Sequence, residues 1–366
     1  MDFTFSPEAE DAATLAADLL GKRVTPASLK AVDAGEDRFD AALWQDLADA
    51  GLLSLTVPEE HDGAGLGLLE AVRVLVEVGR VVAPVPAAVQ VATTLLLAEA
   101  GSEAQRATWL PGAATGERLL LAATAEPLDH TPATPGVRAT RSGDGWVLSG
   151  VKTLVRGATH ADALLVTAST DEGTGVFRVA LPADGAVVEG QATSDGDVTG
   201  LVTFTDAAAE LVGSTDGTVA SRLQDLLTVT GCAELLGVAE GALKLTAAYA
   251  TEREQFGRPI GIFQGVRHRL ADGHMDVLAQ RLTLWQAAWR VAEGLPARAE
   301  VATAALWAAD AAHRIAHTTV HVHGGVGIDL DGEAHRYFTA AKRHEFAVGG
   351  STRQALVIGQ SLAGDA

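Results

Sequence analysis

The stretch REQFGRPIGIFQ, residues 253–264, concentrates polar, aromatic and turn-forming side chains in a chain otherwise rich in Ala, Val, Leu and Gly. Arg253 offers a planar fork of N–H donors suited to phosphate or carboxylate oxygens, and Gln255 adds an amide donor. Phe256 and Phe263 supply flat apolar surface. Gly257 and Gly261 let the backbone turn and approach another group closely. An anionic ligand is one reading of the segment. The other is a helix end closed by an ion pair of Arg253 with Glu252 or Glu254, and spacing does not separate the two.

A second polar cluster is HVHGGVG, His321 to Gly327. Its alternating histidines suggest a metal. Residues two apart on a helix do not share a face, however, and no Cys or carboxylate cluster completes a ligand set, so no metal site is expected. Arg267, His268 and Arg269 are basic neighbours that would point three ways from a helix. They read as a solvated or interface surface.

The formal charge of −20, from 27 basic and 47 acidic residues, argues against a nucleic-acid partner. Any phosphate-bearing ligand must be held by local cations or backbone groups. One cysteine, Cys232, excludes an internal disulfide. The acidic start MDFTFSPEAEDAA lacks the pattern of a secretory signal, and no apolar run reads as a clean bilayer span. No membrane partner is expected, and a reducing cytoplasm is the expected compartment.

Three segments must position these groups. Residues 1–118 read as helices: Ser6-Pro7 opens one, and Leu43, Trp44, Leu47 and Ala48 form the apolar face of another that stops at Gly51. Residues 119–214 carry short β-branched runs punctuated by Gly, Asp, Pro and Ser, the pattern of a small β-barrel or sandwich. Residues 215–366 return to the helical period. There a helix of about 35 residues precedes REQFG, and Val266, Leu270, Val277, Leu278, Trp285 and Trp289 recur near helical spacing after it.

This order, α+β and mostly helical, resembles the acyl-CoA dehydrogenase family. Five segments carry the resemblance in sequence order: ALWQDLADAGLLSLTVPEEHDGAGLG, AEPLDH at the family's Thr-Glu-Pro turn, the expected strand pair GWVLSGVKTLVRGATHADALLVTA, YATEREQFGRPIGIFQGVRHRLADGHMDV, and HVHGGVG. The resemblance implies an N-terminal helical domain, a middle β-domain and a C-terminal four-helix bundle. It also implies FAD, with the REQFG segment reaching across a subunit interface to the pyrophosphate and adenosine end. The implied contacts are Arg253, Gln255, Phe256, Phe263, Gln264, His321, Gly324 and Gly325. His321 stands where the family usually has Gln, so its donation would depend on pH.

Dehydrogenation of an acyl-CoA needs a carboxylate for the α-proton and a flavin for the β-hydride. The family places the carboxylate in a turn after the last core helix or early in the helix before REQFG. The matching positions are Gly349 and Leu227, and neither is acidic. Glu345, with Glu234 and Glu240, is the nearest substitute, though an ion pair with its basic neighbours suits it better. The ring-end contacts also depart from the pattern, with Ala125 for a hydroxyl and Leu154 and Arg156 for Trp and Ser or Thr.

The tail HRYFTAAKRHEFAVGGSTRQ resembles the base-lacking subunits of actinobacterial heteromeric, α2β2 enzymes that act on steroid side-chain CoA thioesters. The resemblance implies a non-catalytic subunit in lipid metabolism, specifically steroid degradation. The implied partners are a homologous subunit carrying the carboxylate, an acyl-CoA substrate and an electron-transfer flavoprotein. Two readings stand beside it: an active flavoenzyme that uses another base or acts as an oxygenase, and a flavin-free oligomeric scaffold.

Overall fold

The computed structural model describes residues 4–35, 38–130, 132 and 134–364. The outermost residues of the three expected segments, 1–3 and 365–366, lie outside that range. Helices α1 (Pro7–Arg23), α2 (Pro26–Asp33), α3 (Ala41–Asp49), α4 (Leu68–Arg80), α5 (Ala87–Ala100) and α6 (Glu103–Ala114) come first. Strands β1 (Leu120–Ala123), β2 (Arg138–Ser142), β3 (Gly145–Arg156), β4 (Ala163–Ser169), β5 (Thr174–Ala180), β6 (Ala186–Gln191) and β7 (Thr199–Val212) follow. Then come α7 (Thr218–Glu252), a hairpin of β8 (Glu254–Gln255) and β9 (Arg258–Pro259), α8 (Gln264–Ala292), α9 (Arg298–His323), α10 (Ala334–Ala347) and α11 (Gly350–Gly364). The order is the one the resemblance implies: helical N-terminal part, middle β-domain, helical C-terminal part.

Local chemistry sets the helix starts. Ser6 caps α1 by accepting from Ala9 N–H, with Pro7 as the first helical residue. Thr25 with Ser28, and Ser102 with Gln105, form reciprocal capping boxes on α2 and α6. Leu43, Trp44, Leu47 and Ala48 are the buried face of α3, as their spacing predicts.

Packing divides the chain into two compact units: residues 1–34, 72–83 and 231–366, and residues 35–71 and 84–230. The second holds the sheet. Its strands β2, β3, β7, β5 and β4 pair in a closed circuit, with β4 returning to β2 through the single pair Arg138–Ser169. The middle domain is therefore a barrel rather than a sandwich. Strand β1 adds to β4 and β6 to β7. Strands β3 and β4, expected from the sequence to pair, belong to one sheet without pairing. Gly157, at φ +73°, and the helical turn Ala158–His160 redirect the chain between them.

In the first unit α9 lies against α8, α10 and α11. The expectation that no segment is long and apolar enough to span a bilayer needs correction. Helix α7 passes on length and composition, with an 18-residue window of mean hydropathy 1.4. That window is 83% buried within the protein, which marks a core helix.

Helices α4 and α7 meet backbone to backbone. A Cβ on Gly237 would lie 2.0 Å from the Val76 carbonyl oxygen, and one on Gly79 would lie 1.9 Å from that of Glu234. Gly237→Ala must therefore push the helices apart. We expect a loss of about 1–3 kcal/mol, as overpacking typically costs, read as a lower thermal midpoint. An unchanged midpoint would show that the crossing is loose.

Candidate functional site

The 253–264 segment starts where α7 ends. Arg253 N–H donates to Tyr249 O at 2.9 Å, and Ile260 N–H donates back to Arg253 O at 2.8 Å. Gln255 pairs with Arg258 across the hairpin. The two turn residues, Phe256 (φ +55°) and Gly257 (φ +74°), both lie in the left-handed region, as a type I′ turn requires. Glycine adopts that region freely; phenylalanine does not. Phe256 is nonetheless there, and its side chain is 91% exposed. The Phe263 ring meets it edge-on at 6.0 Å, and the Arg258 guanidinium lies 4.9 Å from the Phe263 centroid.

Arg253 is exposed, and its side chain has no hydrogen-bond or ion-pair partner among the described residues. The ion pair with Glu252 or Glu254, open on spacing, does not form. Gln255 Nε2 donates to Glu254 O at 2.8 Å, and Gln264 is the exposed first residue of α8.

The histidine-glycine segment reaches the same end of α7. The His323 ring stacks on Tyr249 with centroids 4.3 Å apart, and its Nδ1 lies 2.8 Å from Thr319 O. His323 is thus buried inside the unit whereas His321 is exposed. No group of three potential ligands that could hold a metal occurs among the described residues. Gly324 (φ +65°) and Gly325 are exposed, and a Cβ on either would meet open space. None of the described residues requires glycine at 325; its bareness faces outward. Tyr249, one helical turn before Arg253, joins the two segments. Sequence reasoning missed it, although its spacing from Arg253 was a signal.

The base positions are unreactive. Gly349 has φ +92°, so a glutamate there would be strained, and its Cβ, 2.7 Å from Gln354 Nε2, would displace that side chain's amide. In the other unit Leu227 is half-buried on α7, and Thr228 bonds back to Gln224 O at 2.7 Å. The substitute carboxylates are engaged. Glu345 accepts from Lys342 Nζ at 2.6 Å and lies 3.2 Å from His313 Nδ1. Glu240 is clamped by Arg80 and Arg281, and Glu234 lies buried 3.6 Å from His344 Nε2.

The barrel unit keeps the scaffold of the ring-end turn without its contacts. Thr153 N–H donates to Ala125 O at 3.0 Å. The fully buried Lys152 ammonium donates to Glu126 Oε1 at 2.7 Å, Thr167 Oγ1 at 3.1 Å and Thr124 O at 3.2 Å. Burial pushes Lys152 below the usual lysine range. Burial would raise the Glu126 carboxyl, but bonds from Lys152, Val137 N–H and Gly136 N–H outweigh it and hold it low. Leu154 sits at φ +50° with its N–H on Gln191 Oε1. Arg156 does not project as a free cation. It is buried, donating to Asp197 Oδ2 at 2.7 Å and Val85 O at 3.1 Å. The REQFG and Gly-Gly segments therefore present an exposed guanidinium, exposed amides and bare backbone, whereas Ala125 carries no hydroxyl and Arg156 is engaged inside the barrel unit.

The fold and these signatures define a member of the acyl-CoA dehydrogenase family. The family's N-terminal domain matches residues 6–117 and its C-terminal domain residues 227–363. The chain belongs to that family. It is 46% identical over 375 residues to acyl-CoA dehydrogenase FadE27 of Mycobacterium tuberculosis, covering 99% of each chain. Among solved structures it is similar to a chain of the ChsE4-ChsE5 complex from Mycobacterium tuberculosis, at TM-score 0.94 and 46% identity over 99% of each. It is also similar to a chain of a variant of the Tcur3481-Tcur3483 steroid ACAD, at TM-score 0.94 and 38% identity over 98% of each.

Two outcomes follow. Because the folded Glu126 carboxyl is depressed from 4.5, its stabilisation is present above that value and is lost as pH falls through the folded value. Glu126→Gln should therefore lower the thermal midpoint at pH 7, with the deficit shrinking below pH 4.5; a constant deficit would assign no charge role to Glu126. Asn suits a type I′ turn better than Phe, so Phe256→Asn should leave the midpoint of the isolated chain unchanged or raise it. A fall would show that the ring is there to hold the hairpin.

Proposed function

We propose that this chain is a base-lacking subunit of a heteromeric acyl-CoA dehydrogenase that lends residues to a flavin site completed by a homologous chain. The observation that carries this reading is Arg253: an exposed arginine whose side chain has no partner among the described residues, in a chain of net charge −20, on a hairpin whose turn is strained to display Phe256. Its fork is available for phosphate oxygens of a cofactor held by another subunit. Gln255, Gln264 and His321 add donors, Phe256 and Phe263 add apolar faces, and Gly324-Gly325 leaves the backbone bare. FAD, when bound, supplies the hydride acceptor.

The partner chain contributes the carboxylate that Gly349 and Leu227 do not provide, together with the ring-end contacts absent at Ala125, Leu154 and Arg156. The steroid ACAD among the similar structures supports an acyl-CoA thioester of steroid origin as substrate class, in a heterotetramer. An electron-transfer flavoprotein is the electron acceptor we assign to the complex. A reducing cytoplasm accords with Cys232, whose buried thiol is pushed up to about 12 and is inert. The ion-paired state of Glu345 tells against the reading in which it serves as the base.

Arg253→Ala tests the proposal in the purified complex. A charge-assisted bond to phosphate is typically worth about 1.5–3 kcal/mol, so flavin retention should weaken roughly ten- to a hundredfold. Unchanged flavin occupancy on dialysis would make the segment structural and remove the main support for the reading.

A further inference from the structure

The hairpin and the Gly-Gly turn leave different helices, yet two rungs lock those helices together. In the inner rung the Thr246 hydroxyl on α7 donates to the Thr319 hydroxyl on α9 at 2.9 Å, and that hydroxyl donates on to Ile315 O at 2.9 Å. Both threonines are fully buried. The outer rung, one turn further along each helix, is the Tyr249–His323 stack, with its rings 21° from parallel. A carbonyl only accepts, so His323 carries a proton on Nδ1 and donates it to Thr319 O. That bond ties the outer rung to the inner one and fixes the ring plane.

Beyond the rungs each segment is pinned to its own helix. Ile260 N–H returns to Arg253 O at 2.8 Å, and a Cβ on Gly261 would lie 2.9 Å from Ala250 O, so the residues after the hairpin lie directly on the end of α7. At α9 the Gly324 N–H bonds to Val320 O. A Cβ on the buried Gly327 would lie 2.8 Å from that oxygen and 3.0 Å from His323 Cβ. Arg253 lies one turn past Tyr249, and Gly324 directly follows His323. The rungs thus set the separation between the guanidinium-bearing hairpin and the bare backbone.

We infer that Tyr249 and His323 are positioning residues of the proposed cofactor site, whose stack holds Arg253 and Gly324-Gly325 at the separation that a single phosphate-bearing ligand bridges. The inference rests on the borrowed-site reading above and adds to it what makes two segments act as one grip. Segments ordered before binding lose less freedom when a ligand bridges them, so the stack acts on retention without touching the ligand.

The test is a double-mutant cycle on the FAD dissociation constant of the purified complex with a homologous chain that carries the carboxylate. Tyr249→Leu keeps apolar bulk and removes the ring. It should weaken FAD binding roughly three- to tenfold, the worth of an aromatic pair. In the Arg253→Ala background the same substitution should change it less than about twofold, because the hairpin no longer has a phosphate grip to misplace. Tyr249→Phe keeps the ring and should retain FAD as the unsubstituted complex does; a loss as large as that of Tyr249→Leu would overturn the role of the stack. Should Tyr249→Leu fail to assemble, Thr319→Val removes the inner rung while nearly keeping its shape, and the same non-additivity with Arg253→Ala is expected. Equal factors in the two backgrounds would assign the rungs to general stability and overturn the inference, as would undiminished retention in Tyr249→Leu. Either result leaves the borrowed-site reading standing so long as Arg253→Ala alone releases flavin. Unchanged retention in Arg253→Ala would overturn both.

Discussion

The contact between α4 and α7 at bare backbone is the constraint on which the first unit depends. Gly79, Gly237 and Gly241 allow carbonyl oxygens to lie where a Cβ would otherwise be. Around that crossing Tyr337 OH donates to Arg80 O at 2.9 Å, and the Arg80 guanidinium is held by Glu77 and Glu240. Helix α7 is thus fixed between Glu234 and Gly241, and its last turn carries Tyr249 against His323. That stack brings the REQFG hairpin and the Gly324-Gly325 turn, seventy residues apart in sequence, to one end of one helix.

On the proposed reading, binding and catalysis part company in this chain. The hairpin holds a guanidinium without a side-chain partner among the described residues, and its strained turn and exposed ring are unfavourable in a lone chain. The base turn has become Gly349, whose left-handed backbone and tight neighbour Gln354 do not suit a glutamate. At the barrel, Lys152 and Glu126 still hold the turn at Ala125, but the hydroxyl is gone and Arg156 has been drawn inward to Asp197. A binding surface that is intact toward phosphate and bare toward the ring is coherent for a subunit that completes another chain's site.

Much of this was legible in the sequence because it is local. The α3 face, the 35-residue length of α7, the caps at Ser6 and the turn glycines follow from spacing and residue type. What depends on distant partners was not legible. Arg156 finds Asp197 forty-one residues away, and nothing in GVKTLVR points there. Leu278 shares its helical period with Val277, yet one faces solvent and the other the core, because periodicity gives the apolar positions without saying which neighbour covers them. The pairing of strands β3 and β4 failed as an expectation for a similar reason: Gly157 sets the direction of the chain, and direction is not written in β-branched runs.

The most direct test of a borrowed site is the visible spectrum and turnover of the chain purified alone and together with a homologous chain that carries the carboxylate. The account predicts no flavin bands and no acyl-CoA dehydrogenation, even with added FAD, for the lone chain. It predicts flavin absorbance that bleaches on addition of an acyl-CoA thioester for the pair. Flavin bands that bleach with substrate in the lone chain would contradict it.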